Sequence, residues 1–105
     1  MAPIICHEGQ TVAAVEQFLT QMDLHAFMRS VAVEVNDACY CQSDYVPTEK
    51  DHNELAADLQ IEKIEAWPED VVFIILSPTF LPDMYMSVQV MLVDATAWEL
   101  EIHAK

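Results

Sequence analysis

Six carboxylates in the middle of the chain are the residues best spaced to do chemistry together. They follow one another at intervals of three, four, four, three and four residues, so on a helix they would share one face within roughly 80°. Neighbouring side chains would stand about 5–6 Å apart, similar to successive phosphates on a nucleic-acid strand. This acidic stripe consists of Asp51, Glu54, Asp58, Glu62, Glu65 and Glu69.

The acidic stripe has two interpretations. As a phosphate mimic it would occupy a basic nucleic-acid groove, and its charge would speed association in a salt-dependent way. As a solvated helix face it would serve solubility alone. Like charges at this spacing cost a few tenths of a kcal/mol per pair, and only Lys50 and Lys63 are close enough to offset them. Acids outnumber bases 18 to 4, and 11 of the 18 lie between Glu34 and Asp70, which shifts the balance toward the mimic.

The composition limits the class of protein and its partners. With 105 residues the chain fits a single domain over 1–105, and 53% apolar residues exclude a disordered acidic tail. A net charge of −14 argues against direct binding to nucleic acid or an anionic membrane, since phosphates need cations. The expected partner is a basic nucleic-acid-binding protein. The four cations are Arg29, Lys50, Lys63 and Lys105.

Several features favour a cytoplasmic protein, in the host cytoplasm if a phage encodes it. The N-terminus lacks the basic and apolar regions of a signal peptide. The longest apolar run, 71–76, has six residues, whereas about 20 are needed to span a bilayer. Three cysteines, an odd number, favour reduced thiols.

Metal binding and catalysis have little support. Cys39 and Cys41 could join Cys6 and His7 in a Cys₃His zinc site, but the spacing is shorter than the usual C-x₂₋₄-C, and buried cysteines that simply pack are commoner. The chain has no phosphate-binding glycine loop, no G-x-S-x-G and no H-x-x-x-H motif. We therefore expect no enzyme activity, no metal and no cofactor.

The first half of the chain predicts a helix followed by a hairpin. Thr11 can cap a helix over residues 12–28, whose apolar residues recur every three or four positions, and Asp23 can re-cap or kink it. Alternating valines then predict strands over 30–42, turning at Asn36-Asp37. Since Gly9 is the single glycine, turns with positive φ must use Asn or Asp.

The acidic stripe depends on a helix over 49–66. Thr48 and Asp51 resemble a capping box at its start, and Pro68 prevents its continuation. A strand over Leu59–Trp67 is the alternative, but Lys63 and Glu65 break its alternation, so we prefer the helix.

The last third of the chain predicts strands. Residues 71–76 are wholly apolar and indicate a strand buried on both faces. Residues 87–93 and 97–104 alternate and form a hairpin around 94–96. The predicted fold is α+β with the order α-β-β-α-β-β-β: a mostly antiparallel sheet of about five strands, with two helices on one face.

The loop predicted over 77–86 is unusually apolar. Its large side chains suit a protein interface, where aromatic residues and methionine are enriched. Alternatively, they fold back and cover the domain's own core. The four candidate contact residues are Phe80, Leu81, Met84 and Tyr85.

The leading hypothesis is a small acidic inhibitor that mimics nucleic acid and blocks a basic groove. In size, charge and outline alone, the chain resembles phage and mobile-element counter-defence proteins: anti-CRISPR proteins, anti-restriction proteins and uracil-DNA glycosylase inhibitors. One alternative is an immunity protein that neutralises a basic toxin. Another is an acidic secretion chaperone, which would bind an unfolded segment through an apolar groove. The sequence leaves open whether the chain is a monomer or a homodimer.

Overall fold

Three helices and five strands form the part of the chain that the computed structural model describes. That part is residues 2–79, 83–92 and 94–104, with the backbone alone for 95–97. The elements are β1 (Ile4–Cys6), α1 (Val12–Gln21), α2 (Leu24–Cys39), α3 (Glu49–Asp58), β2 (Leu59–Trp67), β3 (Val71–Pro78), β4 (Met84–Met91) and β5 (Asp94–Ala104). Within these residues, none of the helices combines the length and the apolar character of a membrane-spanning segment.

The strands form one mixed sheet in the order β1-β2-β3-β4-β5. The β1–β2 pair is parallel, and the other three pairs are antiparallel. All three helices lie in the β1–β2 connection, because a parallel pair needs a long crossover. The α+β class is therefore confirmed, but the predicted order α-β-β-α-β-β-β with two helices is wrong, since a short first strand precedes three consecutive helices.

The hydrophobic core lies between the helices and one face of the sheet. Alternate residues of β3 and β4 point into it and are fully buried, because side chains on a strand alternate between faces. We call this the helix-covered face. The core residues are Val72, Ile74 and Leu76 of β3, Met86, Val88 and Val90 of β4, and Leu59, Ile64 and Ala66 of β2, packed against Val15, Phe18, Phe27, Val31, Ala32, Val35 and Leu55 of the helices.

The first predicted helix is two helices. α1 ends at Gln21, and Asp23 caps α2 by accepting a hydrogen bond from the Ala26 N–H (3.0 Å). The predicted re-capping at Asp23 is thus confirmed, whereas one helix over 12–28 is wrong.

The predicted hairpin over 30–42 is also wrong, because residues 24–39 form α2. Its buried residues fall at helical intervals of one, three and one, which places them on one face. Burial of that face against the sheet outweighs the β-propensity of the valines. The buried residues of this part of α2 are Val31, Ala32, Val35 and Asn36.

The acidic stripe requires a helix over 49–66, and this prediction is wrong for the residues after 58. The capping box of Thr48 and Asp51 is present, but α3 ends at Asp58 and Leu59–Trp67 is a strand, which was the alternative prediction. The β2–β3 register shifts between Ile61 and Lys63. This bulge adds one residue, Glu62, and so reverses the alternation within the strand.

The last three strands agree with the sequence apart from their ends. β3 and β4 extend into the predicted loop over 77–86. Met91 pairs with Asp94, so residues 94–96 lie in β5 and not in the turn. In the β2–β3 turn, Glu69 (φ 67°) and Asp70 (φ 63°) adopt left-handed conformations.

Candidate functional site

The candidate site is the sheet face opposite the core, which no helix covers in the described part of the chain. Residues that alternate with the buried ones in β3 and β4 point to this side and are half-buried. The two outer strands add charged side chains. We call this surface the open face, and its residues are Glu62, Lys63, Glu65, Phe73, Ile75, Tyr85, Ser87, Gln89, Glu99, Glu101 and His103.

Carboxylates lie on both margins of the open face. Phe73 of β3 is opposite Glu65 of β2 on one side and Gln89 of β4 on the other. Gln89 in turn is opposite Glu99 of β5. Three strand spacings of about 4.8 Å place Glu65 and Glu99 about 14 Å apart. Glu101 follows Glu99 by two residues along β5 and lies about 7 Å from it. A neutral strip on β3 and β4 thus separates two acidic margins, one on β2 and one on β5.

The β2 margin encloses a shallow cavity of about 470 Å³. The bulge directs Glu62 to this side, where its Oε1 accepts a hydrogen bond from the Ser77 hydroxyl (2.5 Å). Ile75 and Tyr85 form the apolar wall of the cavity, and Lys63 and Glu65 line it as well. Because Lys63 in the same cavity already pairs with Glu65, a further cationic side chain with an apolar stem would meet chiefly the Glu62 carboxylate and the apolar wall.

Glu65 is held in its charged form. Its Oε1 lies 2.9 Å from Lys63 Nζ, and its Oε2 lies 3.4 Å from His7 Nε2. The hydrogen bond from Lys63 is the main cause that lowers the pKa of Glu65, and the bond from His7 adds to it. The His7 ring also stacks on Trp67 at 3.6 Å between ring centroids, which fixes this end of the margin.

The β5 margin is ordered by His103. Its ring stacks on Tyr85 with 4.7 Å between ring centroids, and its Nε2 is 2.9 Å from the Ser87 hydroxyl. The same nitrogen is 3.5 Å from Glu101, whose side chain stays 74% exposed. Both carboxylates of this margin, Glu99 and Glu101, are therefore presented to solvent from a fixed strand.

Cations do little to neutralise the surface. Each described lysine and arginine lies against a carboxylate: Lys63 as above, Lys50 Nζ at 3.8 Å from Glu54, and Arg29 with Glu49. Exposed pairs of this kind are weak, but they occupy the cations. No lysine or arginine in the described ranges is left away from a carboxylate to bind an anion.

The acidic stripe does not form one row. Only three of its members lie on α3, and two of these accept hydrogen bonds from other residues of the chain. Asp51 accepts hydrogen bonds from the Tyr45 hydroxyl and the Thr48 N–H, which lower its pKa. Asp58 accepts bonds from the N–H (2.7 Å) and the hydroxyl of Thr79. These two carboxylates therefore stabilise local structure.

The other stripe residues are dispersed. Glu54 is exposed on α3 beside Lys50, and Glu69 is in the β2–β3 turn. Glu62 and Glu65 lie on the open face. A role in partner binding stays a prediction for all six residues of the acidic stripe. Of these six, the structure places only Glu62 and Glu65 together on one strand.

The apolar loop residues also separate. Phe80 and Leu81 lie outside the described residues. Met84 and Tyr85 begin β4, where Met84 packs against the core and Tyr85 faces the open side. Sequence reasoning did not select Glu99 and Glu101 as candidates, although the alternation of 97–104 already placed both on one side of the strand.

The candidate metal ligands do not form a site within the described ranges. Cys6 is in β1, Cys39 ends α2 and Cys41 follows it, and all three thiols are free. Nowhere in those ranges do three or more His, Cys, Asp or Glu side chains form a group that could hold a metal ion.

Comparison with known proteins adds no relative. The chain matches no protein-family model, no curated protein and no solved structure.

Proposed function

We propose that the chain is a small acidic inhibitor that uses its open face to bind the basic nucleic-acid groove of a DNA- or RNA-handling protein. The observation that carries the proposal is the pair of acidic margins, Glu62 with Glu65 and Glu99 with Glu101, on either side of a neutral strip. Their separation of about 14 Å is comparable with the major-groove width of about 12 Å in B-DNA. Two lines of negative charge at such a distance resemble the backbones that border a groove.

The margins and the strip would contribute differently to binding. The net charge of −14 and the exposed carboxylates would attract a basic surface and orient it, mainly by raising the association rate. Phe73, Ile75 and Tyr85 are half-buried and would lose their remaining water on contact, which slows dissociation. Inhibition would follow from occlusion of the groove and needs no chemical step.

The proposal is tested by affinity capture from the native host at low and high salt, followed by competition with duplex DNA. We expect a basic nucleic-acid-binding protein that is retained at low salt, and that excess DNA displaces. A captured partner that binds no nucleic acid, or that DNA fails to displace, contradicts the mimic. An immunity protein would instead capture a toxin, and a secretion chaperone would keep its partner in high salt.

A matched pair of variants locates the surface. Glu99→Lys with Glu101→Lys reverses two charges on the open face. Glu34→Lys with Asp37→Lys makes the same change in net charge on exposed positions of α2. We expect the first variant to weaken binding by about a hundredfold, since close charge pairs contribute over 1 kcal/mol each. Equal loss in both variants would show that net charge, and not the open face, determines binding.

A further inference from the structure

A second surface lies on the helix-covered side, where α1 and α2 meet β1 and β2. A cavity of about 490 Å³ opens there, with a mainly aliphatic lining. Leu19 of α1 and Leu24 and Met28 of α2 form one wall, Leu59 and Ile61 of β2 form the other, and Ala2 and Ile4 line the end beside β1. Leu24 is 41% exposed, although it is a large apolar residue. The size is in the usual range of about 300–1,000 Å³ for ligand sites.

The β2 wall of this cavity is also a free strand edge. β2 has nine residues, but its pairing with β1 covers only Ile64, Glu65 and Ala66. Residues 59–62 have β3 on one side, and no strand in the described part of the chain pairs with them on the other. The Leu59 N–H donates to the Leu55 carbonyl at the end of α3. The other outward-facing N–H and C=O groups of such an edge are a template for an added strand.

The two features together select an extended peptide. A helix laid in the cavity would leave the edge of β2 unpaired, and a small apolar molecule would do the same. A strand added to residues 59–62 would run for about 13 Å and direct every second side chain into the cavity, about 7 Å apart. Main-chain hydrogen bonds would supply affinity, and the apolar cavity would select the alternate side chains.

The acidic residues around the groove indicate which side chains the rest of the peptide should carry. Glu62 belongs to the free edge and its carboxylate lies on the side away from the cavity, Glu16 lines the cavity itself, and the chain as a whole carries −14. Side chains that point away from the cavity would therefore be basic. A second cavity, of about 610 Å³ between α2 and α3, shares Leu24 and Met28 with the first and could take the next apolar side chain.

We propose that this groove binds an extended segment of a basic protein, in which apolar residues alternate with lysine or arginine, as an added strand on β2. The cavity is on the opposite side of the sheet from the open face, and the groove shares only Glu62, at the strand edge, with that face, so this inference does not rest on the proposed function. Its test also leaves the margins of the open face unchanged.

The probe is a fluorescein-labelled peptide of alternating valine and lysine, seven residues long. Two controls keep its charge: one groups the valines at one end, and one carries N-methyl groups that block strand addition. We expect the alternating peptide to bind at least about tenfold tighter than either control, by fluorescence polarisation. Amide shifts in NMR spectra should concentrate at residues 59–62. Equal binding by all three peptides, no measurable binding, or shifts confined to Glu99 and Glu101 would overturn the proposal.

Two exposed residues at helix starts give matched variants. Leu24 is the first residue of α2 and lines the groove, whereas Val12 is the first residue of α1, is 44% exposed and does not line it. We expect Leu24→Ser to weaken peptide binding by about fivefold or more, and Val12→Ser to leave it unchanged. Thermal unfolding of both variants shows that each is folded. An equal effect of both variants, or an edge of β2 already protected by a second copy of the chain, contradicts the assignment.

Discussion

The two faces of the sheet are formed by adjacent residues of the same strands, but their side chains differ in how deeply they are buried. On the helix-covered face, Ile74 and Leu76 are completely buried among aliphatic side chains. On the open face, the residues beside them, Phe73 and Ile75, keep part of their surface exposed and are flanked by carboxylates. Adjacent residues of one strand thus differ in environment: one face forms the core that stabilises the fold, and the other, partly exposed, is the face that we propose a partner contacts.

The largest expected effect separates two isoleucines that are neighbours in β3. Ile74→Ala should lower the free energy of unfolding by about 3–4 kcal/mol, because it leaves a cavity in a close-packed core. Ile75→Ala removes a half-buried side chain and should cost about 1 kcal/mol. Urea denaturation measures both.

For partner binding, we expect Ile75→Ala to have a larger effect than Ile74→Ala, the reverse of their effects on stability. Ile75→Ala is expected to weaken capture of the partner, whereas Ile74→Ala should bind normally at temperatures where it is folded. If Ile75→Ala destabilises as strongly as Ile74→Ala, the two faces do not divide folding from binding.

A medium effect is expected at a polar contact within the helix layer. Asn36 Nδ2 lies 3.0 Å from His52 Nδ1, and both residues are buried. Asn36→Ala would leave the imidazole nitrogen without this partner away from water, at a cost of about 2 kcal/mol. The control is Asp37→Ala at the next position, which is exposed and should change stability by less than about 0.5 kcal/mol. Thermal unfolding compares them, and similar losses would show that the hydrogen bond is not responsible.

The smallest expected effect is the pH dependence of the stabilisation that Glu65, on the open face, contributes. Glu65 has a lowered pKa in the fold because Lys63 donates a hydrogen bond to it. Its ionised form therefore stabilises the fold fully above the ordinary value of 4.5, and this contribution is lost as the pH falls through the lower folded pKa. A double-mutant cycle of Glu65→Gln and Lys63→Met should show coupling at pH 7 that declines below about pH 4.5. Coupling that persists in strong acid would contradict this assignment.

The sequence predicts the C-terminal half of the sheet well because its signals are local. In β3 and in the β4–β5 hairpin, apolar runs and alternation correspond directly to burial. In α2, by contrast, Val31, Val33 and Val35 alternate as a strand would. Their helical conformation depends on the burial of Val31 and Val35 against a sheet distant in sequence, which no local pattern contains.

The β2 strand was harder to predict for a different reason. Leu59 and Ile61 share a face with Ile64 and Ala66, but the bulge at Glu62 changes the spacing from two to three between Ile61 and Ile64. A strict alternation test therefore rejects the strand, and Trp67, which that test grouped with Leu59, is 40% exposed. The short β1 escaped prediction because three residues carry too little pattern.

In the candidate site too, some features follow from the local sequence, whereas others depend on contacts between distant segments. Sequence spacing grouped Asp51, Asp58 and Glu65 on one helix face, yet the structure places them on two different elements. The open face combines β2, β3, β4 and β5, and its register depends on the bulge and on turn lengths. Alternation within β5 did place Glu99 and Glu101 together. Their relation to Glu65, across three strand spacings, required the topology.

The β2–β3 turn also affects the unfolded chain. Glu69 and Asp70 adopt left-handed backbone conformations that glycine would adopt without strain, at a cost on the order of 1 kcal/mol each. Glycine at these positions would relieve that strain, but it would also widen the range of conformations open to the unfolded chain. With one glycine in 105 residues, this chain has comparatively little backbone freedom to lose when it folds. The restricted unfolded ensemble thus offsets part of the strain in a turn that keeps two negative charges at its tip.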